Sequence, residues 1–409
     1  MGRKVKISVV IPVYNVEDYL IKCLDSLHRQ KYQDIEFVVI DDGSTDSSLE
    51  ICETFARIDD RFVVIHKENA GPSSARNLAI DASCGEYITF VDSDDYVRED
   101  AYTEIAKKLE KYDDPDILVF GAELYPDGAA DYLYDMVHPR DIDYEEFEPR
   151  ILFEEVGSRP FLWLQVIKKS IITSHNIRMN ESMNLGEDQL FQIELFPFAN
   201  RIAFISDCLY TYRWNRSSSL MDSYGKDRMK KLLAHIRIVE NVFNVIFTDK
   251  YDEAMKQATF NWSVFFLWGD LMEMLEEEQL LVCGKLREIW EKRDCIKKFY
   301  NTLDIWGMLR VNQMLILSEP DKEKKIELFD KANAELEEEL KVMRKNPRCR
   351  RALRRELKKK KKQEKRTKMS ESIKKLRRKI RENGLFRTMK KVLRKIKRKL
   401  KRIWAERKK

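Results

Sequence analysis

Tyr87-Ile-Thr-Phe-Val91 runs straight into Asp92-Ser-Asp94-Asp95, and this junction constrains the chain more than any other stretch. Five β-branched and aromatic residues bounded by polar turn formers predict a buried strand. It ends in three carboxylates within four positions, where open α/β sheets bind their ligands. Close-set aspartates repel one another unless something cationic lies between them. A hard divalent ion, Mn²⁺ or Mg²⁺, suits such oxygens. For Asp-x-Asp alone, a solvated acidic loop is the competing reading.

The same arrangement recurs upstream. Residues 6–11 form a first strand, which Pro12 is expected to end because proline lacks the ladder donor. Leu20, Cys23, Leu24 and Leu27 fall at helical spacing within 16–30. Residues 34–40 are a second strand, with Thr45, Asp46 and Ser47 as alternative caps for a helix reaching Ile58. A third strand covers 61–66, Pro72 suits the first turn of the next helix, and 87–91 is the fourth strand. Polar pairs follow each strand: Tyr14/Asn15, Asp41/Asp42, Asn69/Arg76 and Asp92/Asp94. This alternation predicts an α/β fold with a doubly wound, mostly parallel sheet and a binding site where four loops converge. No Gly-x-Gly-x-x-Gly follows the first strand, so dinucleotide binding lacks its main support. A helix over 99–112 and a strand over 116–120 follow. Residues 121–160 have no clear periodicity and read as an insertion. Residues 225–340 read as helical.

Charge divides the chain further. Of 76 Lys+Arg and 70 Asp+Glu, residues 341–409 hold 35 and 5, leaving 41 and 65 for residues 1–340. An acidic body thus precedes a basic tail. Ile373, Leu376, Ile380, Met389, Val392, Leu393, Ile396, Leu400, Ile403 and Trp404 recur there at three- and four-residue steps among Lys and Arg. Such a basic amphipathic helical tail fits an anionic membrane surface. A partner helix or nucleic acid is the alternative, although no reading motif or interleaved aromatics favour nucleic acid. The seven cysteines are scattered without Cys-x-x-Cys, which argues against a disulfide framework or zinc site and for a reducing compartment. The chain enters a strand pattern almost at once with no signal-peptide pattern, so a cytoplasmic protein, peripheral on the inner face of the membrane, is expected.

Val9-Val-Ile-Pro-Val-Tyr-Asn15, Asp41-Asp-Gly-Ser44, Asn69-x-Gly-x-Ser-x-Ala-Arg-Asn77, Asp92-Ser-Asp-Asp95 and Gly186-Glu-Asp188 together resemble the family 2 glycosyltransferases. The resemblance covers roughly residues 5–220. It implies a GT-A fold and an inverting hexosyl- or N-acetylhexosaminyl-type transferase using a nucleotide-sugar, with a UDP-sugar favoured because a carboxylate at Asp41 can accept the uracil imide N–H. Pro12, Val13 and Tyr14 would line the base, although Tyr14 also reads as a strand-end core residue. Arg76 would reach the base or the phosphates; its alternative is a surface salt bridge. Asp94 would be the metal ligand, and Asp92 would face the ribose or share the Mn²⁺ or Mg²⁺. Asp95 either joins them or caps the next helix.

Asp188 at a helix start would be the catalytic base, with Glu187 orienting the acceptor or raising the Asp188 pKa; spacing alone makes both merely first-turn acids. One base without a second nucleophile implies single displacement. Arg213 and Arg216 would neutralise the diphosphate. Some relatives place a histidine metal ligand where this chain has Arg213 and Trp214, which leaves the coordination open. Expected divisions are a catalytic domain over 1–222 (donor half 1–98, acceptor and base half 99–222), a helical accessory or oligomer-forming domain over 223–340, and the tail. The expected acceptor is a polysaccharide, a teichoic acid-like polymer or a lipid-linked glycan. The competing class is a non-catalytic glycosyltransferase-like scaffold or a nucleic-acid-associated protein.

Overall fold

The computed structural model describes residues 6–155, 161–183, 185–214, 228–321, 323–332 and 334. The basic tail over 341–409 and Arg216 lie outside them.

The first half alternates as read: β1 (Ile7–Val13), α1 (Glu17–His28), β2 (Ile35–Asp41), α2 (Ser48–Ile58), β3 (Phe62–His66), α3 (Pro72–Ala82) and β4 (Tyr87–Phe90). All four strands are parallel, in the order β3-β2-β1-β4. β2 is buried along its whole length, as expected of a parallel strand covered by helices on both faces. Pro12 does not end β1; it sits in register with Ile40, and the strand continues to Val13. Pairing to β4 stops at Val10, so no ladder donor is needed on that side at Pro12.

Beyond β4 come β5 (Tyr96–Val97), α4 (Ala101–Lys111) and β6 (Ile117–Tyr125), then α5 (Asp131–Val137), β7 (Ile142–Tyr144) and α6 (Pro149–Phe153). Residues 121–155 are thus not an insertion: β6 runs on to Tyr125, and β7 joins the sheet against β9 (Ile202–Arg213). Their elements are too short for a periodicity to show. β8 (Gln165–Lys168) enters antiparallel between β4 and β6, and β9 lies parallel to β6, giving nine strands in one sheet among the described residues. Two antiparallel pairings restore the direction, so β6 and β9 end at the same edge as β4. α7 (Lys169–Ser174) and α8 (Glu187–Leu195) connect β8 to β9, and Phe191 packs edge-on against Phe90 at 6.3 Å.

The helical part contains α9 (Arg228–Ile246), α10 (Glu253–Phe266), α11 (Trp268–Leu271), α12 (Glu276–Glu291), α13 (Cys295–Phe299) and α14 (Ile305–Leu317). Ile238, Val242 and Ile246 of α9 join the sheet core, while Leu232, Val239 and Phe243 of the same helix belong to a second core with Phe260 and Trp290. One helix facing two cores explains its mixed apolar pattern. No helix among the described residues is long and apolar enough to cross a membrane.

Candidate functional site

The carboxyl edge of the sheet gathers Tyr14, Asp41, Asp92, Asp94, Tyr125 and Arg213 from the ends of β1, β2, β4, β6 and β9. Asp41 closes β2 and is fully buried. His66, its register partner on β3, places Nδ1 2.7 Å from Asp41 Oδ2. The Ser44 N–H reaches the same oxygen at 3.3 Å. Asp41 Oδ1 has no hydrogen-bond partner. A buried carboxylate oxygen left unpaired costs about 1–3 kcal/mol, so this atom is poised to accept a donor brought from outside. Tyr14 is 51% exposed, which excludes a core role and leaves its ring available beside Asp41. Val13 is buried, and its carbonyl accepts the Asp42 N–H at 2.8 Å; Pro12 is half-buried.

Asp42, Asn69 and Gly71 are occupied with shaping the loop. The Asp42 carboxylate accepts from Lys67 Nζ (2.5 Å) and from the Ala70 and Gly71 amides (3.1 and 2.7 Å), while Asn69 Nδ2 donates to the Asp42 carbonyl at 2.9 Å. Gly71 has φ +92°, a conformation that favours glycine, immediately before Pro72 opens α3.

Arg76 projects from α3 and joins both halves of the site. Nη2 donates to Asp92 Oδ1 at 3.0 Å and Nη1 to Glu187 Oε1 at 3.3 Å. Burial opposes its charge, yet Asp92 and Glu187 outweigh that and hold the guanidinium above its ordinary pKa. This is a salt bridge inside the site, not on the surface. Asp95 does not cap the next helix, which begins at Ala101. It is buried and accepts from Tyr210 Oη (2.8 Å) and the Arg213 amide (2.7 Å). Burial, then Asp94 and Asp92, pushes its carboxyl well above the usual range. Tyr210 Oη in turn accepts the Asp92 N–H at 3.1 Å, so β9 fixes the acidic turn from beneath.

Glu187 and Asp188 open α8. The helix is entered through Gly186 at φ +79°, where a Cβ would lie 2.4 Å from Ile238 Cδ1. Backbone conformation and the close approach of α9 both require glycine there. The Asp188 carboxyl accepts from the Gln189 N–H at 2.7 Å and is pushed up to about 7, first by burial and then by the Glu187 charge. A carboxylate poised near neutral pH suits a general base.

Asp92 and Asp94 supply the hard oxygen donors that a divalent cation prefers, and their charges add to burial, the larger cause, in raising Asp95. Among the described residues no group of three His, Cys, Asp or Glu able to hold a metal occurs, so these two carboxylates do not by themselves complete a metal site.

His66 and Tyr210 were missed by the sequence reading. His66 could have been found as the last residue of the strand paired with β2, and Tyr210 as the first tyrosine of Tyr210-Thr-Tyr-Arg213, the stretch that ends on the arginine singled out for the diphosphate.

A parallel four-strand half, an acidic turn after its fourth strand, and Glu187 and Asp188 at the start of a helix from the second half are the arrangement of the GT-A fold. The chain belongs to glycosyl transferase family 2, whose model matches residues 8–160. Glycosyltransferase GlyG of Streptococcus pneumoniae is 31% identical over 69% of this chain and 93% of its own length. Glycosyltransferase GlyA of the same organism is 34% identical over 52% of this chain, and the match spans only 31% of GlyA. The crystal structure of Staphylococcus aureus TarS residues 1–349 in complex with UDP-GlcNAc shares the fold. Its TM-score is 0.60 at 22% identity, over 76% of this chain and 90% of that one.

Proposed function

We propose that the protein moves a sugar from a UDP-sugar to a hydroxyl of a cell-envelope polymer, with inversion at the anomeric carbon. The observation that carries the donor is Asp41, buried, held on one oxygen by His66 and unpartnered on the other. Uracil presents an imide N–H and cytosine a bare nitrogen at the equivalent position, so a fixed carboxylate there favours uracil. Tyr14 stacks on the base and Pro12 and Val13 shape its wall. Asp92 and Asp94 hold Mn²⁺ or Mg²⁺, which when bound neutralises the leaving diphosphate. Arg213 adds positive charge to the same group. Asp188 takes the acceptor proton, and Glu187, anchored by Arg76, orients the acceptor and keeps the base near neutral pKa.

The acceptor class is supported by relatives: TarS, 28% identical over 53% of this chain, is a poly(ribitol-phosphate) β-N-acetylglucosaminyltransferase. A teichoic acid-like polymer, another polysaccharide or a lipid-linked glycan at the cytoplasmic membrane face fits that reading. Residues 223–340 act as an accessory or oligomer-forming domain, and the basic tail over 341–409 holds the enzyme against anionic lipid. Deleting the tail is expected to abolish sedimentation with anionic vesicles while UDP binding persists.

The decisive experiment is a thermal shift with UDP, GDP, CDP and dTDP, each with and without Mn²⁺. Stabilisation by UDP that depends on Mn²⁺ is expected. Stabilisation by CDP, whose base brings no imide N–H, would overturn the role of Asp41; stabilisation by dTDP, whose base carries the same imide, would keep that role and change the donor; and no response to any of them would overturn the donor class.

A further inference from the structure

Two cations at the carboxyl edge are built into aromatic faces rather than paired with carboxylates. Arg213, the last residue of β9, is fixed by its amide on Asp95 and by Nε on the Asp94 carbonyl at 2.9 Å. Its guanidinium carbon lies 5.0 Å from the ring centre of Tyr19, 5.4 Å from Tyr125 and 5.9 Å from Tyr96. Lys22 of α1 places Nζ 3.7 Å from the centre of the same Tyr96 ring and 5.1 Å from Tyr125. The two rings meet edge to face at 6.3 Å.

Among the described residues neither cation has an ion-pair partner, and no Arg213 nitrogen is both buried and unsatisfied. Among the described residues no hydrogen-bond partner meets the two terminal amino groups of Arg213. Ring contacts stabilise each cation by about 0.5–2 kcal/mol but do not neutralise it. Two like charges held on the same pair of rings repel. An oligodentate anion placed beside both would relieve that repulsion. An immobilised guanidinium fork and an adjacent ammonium match a tetrahedral phosphate, to which Arg can bind through two parallel hydrogen bonds. The site adjoins Asp94 yet extends beyond it, through Lys22 and Tyr125, onto the surface of α1 and the end of β6.

We infer that Lys22, seated on Tyr96 and Tyr125 beside Arg213, extends the active-site edge beyond the diphosphate contact given to Arg213 above and adds a further phosphate-binding subsite. The inference rests on the glycosyl-transfer reading for its purpose, and the phosphate belongs either to the donor diphosphate or to a phosphodiester of the acceptor chain.

Lys22 is exposed, so Lys22→Gln is not expected to disturb the fold, and a melting curve checks this. The full chain is titrated calorimetrically with UDP plus Mn²⁺ and, separately, with a synthetic glycerol-phosphate tetramer. Lys22→Gln should weaken one of these ligands about three- to tenfold at low salt, while Lys22→Arg retains it. Loss confined to UDP assigns the phosphate to the donor; loss confined to the tetramer assigns it to the acceptor; loss of both shows one subsite serving each. Wild-type affinity of Lys22→Gln for both ligands overturns the subsite and leaves the transferase reading standing. Lys22-dependent binding of the tetramer without UDP binding preserves the subsite and overturns that reading. A wild-type chain that binds neither ligand overturns both.

Discussion

Arg76 and Glu187 lie 111 residues apart in the chain and meet at 3.3 Å, while the same guanidinium holds Asp92 at 3.0 Å. One side chain thus ties the acidic turn after β4 to the helix that presents Asp188. Geometry this distant in sequence is set by the packing of α3 and α8 on one sheet, so its loss should affect chemistry more than folding.

Arg76→Gln is expected to lower kcat/KM roughly a hundredfold, because misplacing either carboxylate by about 1 Å is costly. Arg76→Lys should not rescue it, since a single ammonium cannot reproduce two divergent N–H contacts. Steady-state kinetics for both variants, with a melting curve to confirm folding, checks this; recovery by lysine would mean that only the charge is used.

Asp188 carries the clearest pH signature. With its carboxyl pushed up to about 7, kcat/KM should rise tenfold per pH unit below that value and level off above it. Glu187→Gln removes the neighbouring like charge and should move this limb to lower pH; Arg76→Gln removes a favourable charge and should move it higher. Linkage fixes the sign of the stability effect. Between the ordinary aspartate value and about 7 the folded chain binds more protons than the unfolded one, so this group's contribution to stability falls as pH rises through that window. Asp188→Asn should therefore abolish transfer yet raise Tm above pH 7, by an amount corresponding to about 1 kcal/mol or more. Unchanged Tm alongside near-normal transfer would remove Asp188 from the mechanism.

Tyr210→Phe deletes a single oxygen that donates to Asp95 and accepts from the Asp92 amide. The variant leaves a buried carboxylate with one partner fewer, at a cost of about 1–3 kcal/mol. Since Asp95 already titrates well above the usual range, further loss of support for its ionised form should make the deficit grow as pH rises. Chemical denaturation at pH 5 and pH 8 measures the difference. A pH-independent deficit would point to the lost acceptor of the Asp92 amide instead.

The parallel half was legible because its strands are buried on both faces and read as unbroken apolar runs, with each polar cluster following a strand end. Asp41, Arg76, Asp92, Asp94 and Arg213 were accordingly found at one edge, with Glu187 reaching Arg76 from the start of its helix. What the sequence hid depends on neighbours it cannot show. Pro12 looks like a strand stop until the early end of β4 pairing is known. β7, three residues long, gives no alternation to detect. His66 and Asp41 are 25 residues apart and become partners only through the β2–β3 register. The sequence left Asp95 between joining the other two carboxylates and capping the next helix, yet Asp95 turns inward to Tyr210 while Asp92 turns to Arg76.

That His66–Asp41 pair yields the sharpest test of donor choice. With Oδ2 held by His66 and Oδ1 open, Asp41 rewards a ligand that brings an N–H and repels one that brings a lone pair. UDP should therefore bind at least about tenfold more tightly than CDP, the factor expected from about 1.4 kcal/mol of mismatch. Asp41→Asn can present either a donor or an acceptor, so it should shrink the ratio by weakening UDP and improving CDP. His66→Ala should weaken UDP without improving CDP, because the carboxylate keeps its character but loses its fixed orientation. Calorimetric titration of both nucleotides into the three proteins separates these outcomes. If His66→Ala altered the ratio as Asp41→Asn does, the imidazole itself would be contacting the base.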